Sequence, residues 1–338
     1  MSKNTVLILG AAGRAGQAFA QAFAHAGWQV LAQARKPLPA TLTALPQVQA
    51  LRCDATDSAT LLQLAKQAAG EVQVVLNALN PPYHRWEELL PPLAASAQST
   101  ALALGALLML PGNVYNFGRE LPAQLPLATP ERPDTPKARL RIALEAQMAA
   151  AATQGLDSVV LRAGDFFGGT GSGTWFDLAL TAKLSQGVFV YPGALTHIHA
   201  WAYLPDLAQA FVQVAARRAQ LRGHHRLHFA GHAVEGQVLL DTLQALCGRR
   251  LKVRKLPWGL MKLGGLVIPS WRAVAEVRYL WDRPHQLLDT ELRALIGTPP
   301  HTPLDQALRM SIPALQTAGI AQPLSNKLSA KLNAKVSP

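Results

Sequence analysis

A short apolar run, Thr5-Val-Leu-Ile-Leu9, feeds with no linker into Gly10-Ala-Ala-Gly13-Arg-Ala-Gly16, and a helical pattern of Ala18, Phe19, Ala22 and Phe23 begins at once. A strand, a glycine turn and a helix in that order leave few folds open to the chain. Gly10 permits the tight strand-to-helix turn, and Gly13 lets backbone approach a pyrophosphate with no Cβ in the way. Gly16 lets the helix pack closely on the strand, and the helix N-terminus offers unpaired N–H groups and a positive dipole end to the phosphates. The loop Gly10, Ala12, Gly13, Arg14, Ala15 and Gly16 therefore predicts a dinucleotide site, because strand and helix both flank the glycines.

The next unit addresses which dinucleotide. Trp28 to Gln33 reads as a second strand and ends in Ala34-Arg35-Lys36. A site that prefers NAD usually carries Asp or Glu at this point to accept from the ribose 2′-OH, whereas Arg suits the 2′-phosphate of NADP. Arg35 and Lys36, with Arg14 on the other side of the same phosphate, lead us to expect NADP over NAD. A third strand, Val48 to Leu51, leads into Arg52-Cys-Asp54-Ala55-Thr-Asp57. Asp54, beside Ala55, is placed to bind an adenine amino group, and Asp57 to cap the following helix.

With 338 residues, 49% of them apolar, the chain can bury a large core. Leu89 to Gly118 is its longest uncharged stretch, but Pro91, Pro92 and Pro111 interrupt it, so a buried helix to Leu104 and a central strand from Ala106 to Leu110 are expected rather than a membrane span. No basic segment precedes an apolar one, so no signal peptide is expected. Cys53 and Cys247 have neither metal-ligand spacing nor a disulfide pattern, which suits reduced thiols in the cytoplasm. The net charge of +12 is densest in Arg249-Arg-Leu-Lys-Val-Arg-Lys255, an alternation like that of a strand with one wet face. No nucleic-acid motif accompanies it, so anionic small molecules are the expected partners, with no nucleic acid and no membrane. His197 and His199 share one strand face without a third ligand, and no metal is expected. His224 and His225 read as solvated loop residues.

Apolar strands (Val6–Leu9, Val30–Gln33, Val48–Leu51, Val72–Leu76, Ala106–Leu110, Ser158–Leu161) alternate with helical stretches near 14–26, 57–69, 84–104 and 137–153. That alternation predicts an α/β fold: a doubly wound parallel sheet of the Rossmann type with a smaller C-terminal α/β lobe. The expected sheet domain is 1–162 with parts of 187–230. The expected lobe is 163–186 with 231–320, holding short helices near 234–247, 258–264, 271–281 and 303–317, and a loose basic tail occupies 321–338. Ligands of such sheets gather at the carboxyl ends of the strands. Asn77, Ala78, Leu79 and Pro111 are therefore cofactor-binding candidates, and Asn80, Tyr83, Asn113, Asp165, Phe166 and Trp175 candidates for a substrate cleft.

Several of these pieces resemble the extended or atypical short-chain dehydrogenase/reductases, and within them the NAD-dependent epimerase/dehydratase-like group. The resemblance rests on the loop from Gly10 to Gly16, Cys53-Asp54-Ala55, and Leu76-Asn-Ala-Leu-Asn-Pro-Pro82. It continues in Pro111-Gly-Asn-Val-Tyr-Asn-Phe-Gly118, Leu161-Arg-Ala-Gly-Asp-Phe-Phe-Gly168 and Ala202-Tyr-Leu-Pro-Asp-Leu-Ala208. It implies a sheet domain that binds NAD(P), a C-terminal lobe that selects the substrate, and a possible homodimer. It also implies a Tyr-x-x-x-Lys pair with an upstream Ser or Thr, in which the tyrosine exchanges a proton with the substrate oxygen and the lysine lowers its pKa.

The chain departs from that pattern. Aligned on Glu145, the tyrosine position holds Lys137, the lysine position holds Arg141, and the hydroxyl position falls on Gly112 or Asn113. Arg141 can keep the electrostatic role but is a poor proton donor. Tyr115 as a substitute acid, Lys137 as the acid, and a chain without any proton relay stay open. The expected activity is that of an NADP-dependent oxidoreductase or epimerase acting on a carbonyl or alcohol carbon. The alternative is a non-catalytic NADP(H)-binding sensor. A nucleotide sugar is implied only by the resemblance, and steroid-like, aromatic or small aliphatic carbonyls stay open.

Overall fold

The computed structural model describes residues 4–316, so the expected basic tail lies outside the described residues. In chain order the first units are β1 (Thr5–Leu9), α1 (Arg14–His25), β2 (Gln29–Ala34), α2 (Ala40–Thr43), β3 (Val48–Arg52), α3 (Ser58–Ala68) and β4 (Val74–Asn77). Then follow α4 (Trp86–Leu104), β5 (Leu107–Gly112), β6 (Gln124–Leu125), α5 (Pro136–Ala150), β7 (Ser158–Arg162) and β8 (Asp165–Phe167). Next are β9 (Val188–Tyr191), β10 (Ile198–Tyr203), α6 (Leu204–Ala216), β11 (His224–His228), β12 (His232–Glu235), α7 (Gly236–Cys247) and β13 (Lys252–Lys255). The last are α8 (Trp258–Gly264), α9 (Pro269–Ala275), α10 (Tyr279–Asp282), β14 (Gln286–Leu287), α11 (Thr290–Ile296), α12 (Leu304–Ser311) and α13 (Pro313–Gln316).

Seven strands form one sheet in the order β11-β7-β5-β4-β1-β2-β3, and every pairing in it is parallel. The order reverses between β1 and β4, which opens a crevice at their carboxyl ends. Side chains of β1 alternate between two cores, as the pleat requires. Val6 and Ile8 pack with Phe19, Phe23 and Phe211 of α1 and α6, while Leu7 and Leu9 pack with Leu61, Ala97 and Met148 of α3, α4 and α5. The sheet is thus doubly wound, with both faces dry.

Of residues 187–230, α6 and β11 join this layered sheet, whereas β9 pairs with β13, and β10 with β8 and β12. A third core lies there, built on Phe167, Phe176, Phe189, Tyr191, Trp201, Leu243 and Trp281. Asp57 caps α3, its side chain accepting from the Thr60 N–H at 3.0 Å.

Several local expectations are corrected. His224 and His225 lie in β11, not in a loop, and the His224 ring bonds Ser158 Oγ at 2.8 Å. An edge strand tolerates such polar residues because one side of its ladder faces water. Residues of β13 are exposed on both faces rather than one, because β9 is the strand's sole ladder partner. The stretch expected as one helix over 303–317 is split at Ile312, whose backbone is extended because Pro313 follows. Helix α4 runs through Pro91 and Pro92, which lie past its first turn, so each forfeits one backbone bond.

Candidate active site

The glycine loop fits its turn with little room to spare. Gly10 sits at φ +77, and a Cβ there would lie 3.1 Å from Leu79 Cδ2 and 3.3 Å from the Ala78 backbone. A Cβ on Gly16 would stand 2.2 Å from the Gly10 carbonyl oxygen, so α1 packs on the turn only because Gly16 lacks one. The Gly13 N–H donates to that same oxygen at 2.9 Å. Gln33, fully buried at the end of β2, holds the loop from beneath: its Oε1 accepts from the Gly10 N–H at 2.9 Å, and its Nε2 donates to the Cys53 carbonyl at 2.8 Å. Gly13 is the N-cap of α1 and brings no side-chain cap, so the first-turn N–H groups face outward unpaired by a side chain. A turn with glycine at positions 10, 13 and 16, at a helix N-terminus, fits a dinucleotide pyrophosphate. Ala12 gives its carbonyl to Gln17 Nε2 at 2.9 Å, and Ala15 packs against the core below.

At the end of β2, Arg35 is 78% exposed and its Nη1 stands 3.9 Å from Asp54 Oδ2, with Lys36 exposed beside it. Asp54 Oδ1 accepts from the Thr56 N–H at 2.9 Å and the Thr56 hydroxyl at 2.7 Å, bonds that hold its carboxyl below the usual range, while Ala55 is buried. Arg14 makes bonds that the sequence did not announce. Its guanidinium pairs with Asp177 and its Nε donates to the Gly168 carbonyl at 2.7 Å, so it ties the loop after β8 to the glycine turn.

Beyond the strand ends lies an aromatic and cationic cluster. Asn113 Oδ1 accepts from the Tyr115 N–H at 3.0 Å and starts a 3₁₀ turn, Val114–Phe117, which Gly118 ends at φ +70. That turn carries the Tyr115 hydroxyl to 2.7 Å from the Tyr83 hydroxyl, with Trp86 packed against both rings. Arg119 is exposed and its N–H bonds Asp134, so Tyr115 and Arg119 form no pair along a helix. Lys137 Nζ lies 5.4 Å from the Tyr83 ring centre and bonds Glu276 Oε2 at 2.5 Å. Arg141 lies 5.4 Å from the Trp86 ring and donates from Nη2 to the Pro111 carbonyl at 3.1 Å. Burial pushes Tyr83 up to about 12 and Tyr115 well above its ordinary value; Asp165 adds to both shifts, while Arg141 pulls Tyr83 part of the way back. Burial also lowers Arg141, and Glu145 opposes that shift.

The model of the NAD dependent epimerase/dehydratase family matches residues 6–227. The chain belongs to that family. Solved structures share its fold. UDP-glucose 4-epimerase from Brucella ovis, in complex with NAD, superposes with a TM-score of 0.73 at 18% identity, over 92% of this chain and 98% of that one. The Bordetella bronchiseptica enzyme WbmH, in complex with NAD+, gives 0.70 at 18% identity over 94% and 100%. DesIV, a dTDP-glucose 4,6-dehydratase from Streptomyces venezuelae with NAD bound, gives 0.69 at 17% over 91% and 95%. Among curated protein sequences none matches.

Within this epimerase/dehydratase chain, Lys137 and Arg141 are held in bonds of their own, to Glu276 and to the Pro111 carbonyl. The remaining candidates lie in different surroundings. Asp165 Oδ2 lies 2.8 Å from His199 Nε2, and the His199 ring stacks on Trp281 with centroids 4.2 Å apart. Trp175 packs edge-on to Trp281 and against the cluster holding Tyr83 and Tyr115. Phe166 packs toward the sheet core, and Asn80 is exposed. Asn77 turns inward, its Oδ1 accepting from the Leu79 N–H at 3.2 Å. Among the described residues no group of three or more His, Cys, Asp or Glu could hold a metal.

Sequence reasoning missed four residues that shape this site: Gln33, Glu276, Arg162 and Glu145. Arg162, fully buried, donates to Glu145 at 2.7 Å and to the Asn113 carbonyl at 2.5 Å, and so fixes the backbone from which Tyr115 projects. Gln33 alone left a signal: a lone polar residue ending an apolar strand needs buried partners.

Proposed function

We propose that the chain is an NADP(H)-dependent oxidoreductase that reduces a carbonyl compound, with Tyr115 and Tyr83 as its proton-donating pair. The observation that carries this reading is the 2.7 Å hydroxyl pair beside the guanidinium of Arg141. A nicotinamide held at the cradle would supply the hydride, and the residues here supply the rest. Both phenols are protonated at neutral pH, as a phenol ordinarily is, and burial moves them further in that direction. They can therefore donate to a carbonyl oxygen as it gains charge, and the Arg141 charge favours the phenolate left behind. The same phenolate is the base for the reverse step, so the pair can serve reduction of a carbonyl and oxidation of an alcohol alike. Lys137, neutralised by Glu276, serves to position Tyr83. Asp165, with His199, and Trp175 would face the substrate.

The exposed guanidinium of Arg35, with no carboxylate at the end of β2, supports NADP over NAD, although the named relatives hold NAD. The bonds that commit Lys137 and Arg141 favour a second reading, a sensor that binds the nucleotide without chemistry. The test is consumption of NADPH with a panel of carbonyl compounds that includes nucleotide-linked keto sugars. Tyr115→Phe is expected to lower turnover by about 10²-fold or more with nucleotide affinity kept. Turnover unchanged in both Tyr115→Phe and Tyr83→Phe removes the pair from the mechanism.

A further inference from the structure

The segment from β13 to α9 combines two features that the site does not use. Between Asp241 and Glu276 the sequence has no acidic residue, but it carries Arg249, Arg250, Lys252, Arg254, Lys255, Lys262 and Arg272. All seven are exposed, and only Arg249 is committed, to the carbonyls of Leu184 and Ser185. From that basic base rises the α8–α9 hairpin, whose tip is apolar. Leu260 is 58% exposed, Leu263 66%, Leu266 80% and Val267 81%.

The tip is built rather than loose. The Val267 and Ile268 N–H groups both donate to the Gly264 carbonyl, at 3.1 and 2.8 Å, and the Leu266 N–H to Leu263 at 3.1 Å. A Cβ on Gly264 would fall 2.3 Å from the Trp271 ring, so glycine there is what lets the two helices cross. On the opposite face, Trp258 anchors α8 through Nε1 to the Pro192 carbonyl at 2.7 Å and packs with Met261 on the lobe core. The hairpin thus holds one apolar face inward and displays another outward. At its base a groove of about 470 Å³ opens, lined by Leu178, Ala182, Val188, Lys183, Arg254 and Lys255, with Leu178 67% exposed at its lip.

We infer that this face docks on the surface of an anionic lipid bilayer, with the tip inserted among the acyl chains and the cations against the headgroups. Isolated exposed aliphatic residues need no explanation, but three leucines and a valine on one hairpin do. The occupant follows from charge complementarity: the six uncommitted cations, with no acid among them in the sequence, match an anionic surface, and an exposed apolar tip matches the layer beneath it. A helix able to cross a membrane is not needed, and none is present among the described residues. The expectation of no membrane partner, which rested on the lack of a spanning segment, is thereby revised for peripheral contact. The inference is independent of the proposed reaction, although α9 runs directly into Glu276, the partner of Lys137.

The test is sedimentation of the full chain with phosphatidylcholine vesicles, with and without a minority of phosphatidylglycerol. Two variants are compared with the wild type: Leu266→Asp with Val267→Asp, and Lys252→Glu with Arg254→Glu. The wild type is expected to partition onto the anionic vesicles and to leave them at high salt. The tip variant should lose about tenfold in partitioning for each aliphatic chain withdrawn, and the charge variant about fivefold or more for each cation reversed. Thermal stability and NADPH affinity should be kept in both, which separates lost docking from lost folding. Wild-type protein that ignores phosphatidylglycerol overturns the inference, as does partitioning unchanged by the tip variant. A wild-type dimer that the tip variant dissociates, with no vesicle binding, would assign the face to a second copy of the chain and overturn it likewise.

Discussion

Gln33→Leu is the substitution that separates the scaffold of the cofactor loop from the loop itself. Gln33 is 1% exposed and makes two bonds, from the Gly10 N–H at 2.9 Å and to the Cys53 carbonyl at 2.8 Å. Leucine nearly matches its volume, so packing changes little, but a donor and an acceptor lose their partners. Each orphaned group costs about 1–3 kcal/mol. The added apolar burial offsets part of that, which leaves a net loss of about 2–4 kcal/mol. At about 2 °C per kcal/mol for a chain of this size, the melting temperature should fall by roughly 4–8 °C. Gly10 is also the hinge of the turn, so the loop should relax and NADPH affinity fall by about tenfold, or ~1.4 kcal/mol. Thermal unfolding followed by circular dichroism gives the first quantity. A fluorescence titration with NADPH, at a temperature where the variant is fully folded, gives the second. A variant that melts with the wild type and binds NADPH as tightly would refute the reasoning.

Other expected outcomes follow from single contacts. Arg35→Asp should weaken NADPH by about ten- to a hundredfold, the worth of a bond to a charged group, and NADH much less; equal losses in parallel titrations would end the case for 2′-phosphate selection. Glu145→Leu leaves the buried Arg162 without its nearest carboxylate, at 2.7 Å, and should cost about 3–5 kcal/mol in denaturant unfolding. A loss below about 1 kcal/mol would show that Glu131, at 3.4 Å, suffices alone. His228, His232 and His285 are buried, and burial pulls them down to about 4, about 4 and about 3. Unfolded, they take up protons from about pH 6.5 downward, whereas folded they do not until those lower values. Stability contributed by each is present above pH 6.5 and falls by about 1.4 kcal/mol per pH unit below it, until the folded value is reached. Unfolding of His285→Phe from neutral pH to pH 5 should show a shallower slope than the wild type, and an equal slope would contradict the assignment.

The sheet was legible because its central strands β1, β4 and β7 are mainly apolar and buried on both faces, and because Gly10, Gly13 and Gly16 stand between a strand and a helix. Helix α4 and strand β5 were legible for the same reason, despite Pro91 and Pro92. The site was less so. Tyr83 and Tyr115 stand 32 positions apart and Lys137 and Glu276 stand 139 apart, and no local pattern announces a contact that only the folded chain creates. Arg14 shows another contact of this kind: Asp177, 163 residues later, pairs with its guanidinium. His224 and His225 misled because two polar residues in succession suit an edge strand as well as a loop.

The most direct test of the central claim is transfer of deuterium from NADPH labelled at the nicotinamide C4 to a carbonyl compound, read by mass spectrometry of the product. Deuterium in the product, lost in Tyr115→Phe while NADPH still binds, is the predicted result. Tight NADPH binding with no label transferred to any carbonyl would contradict catalysis and leave the sensor reading in its place.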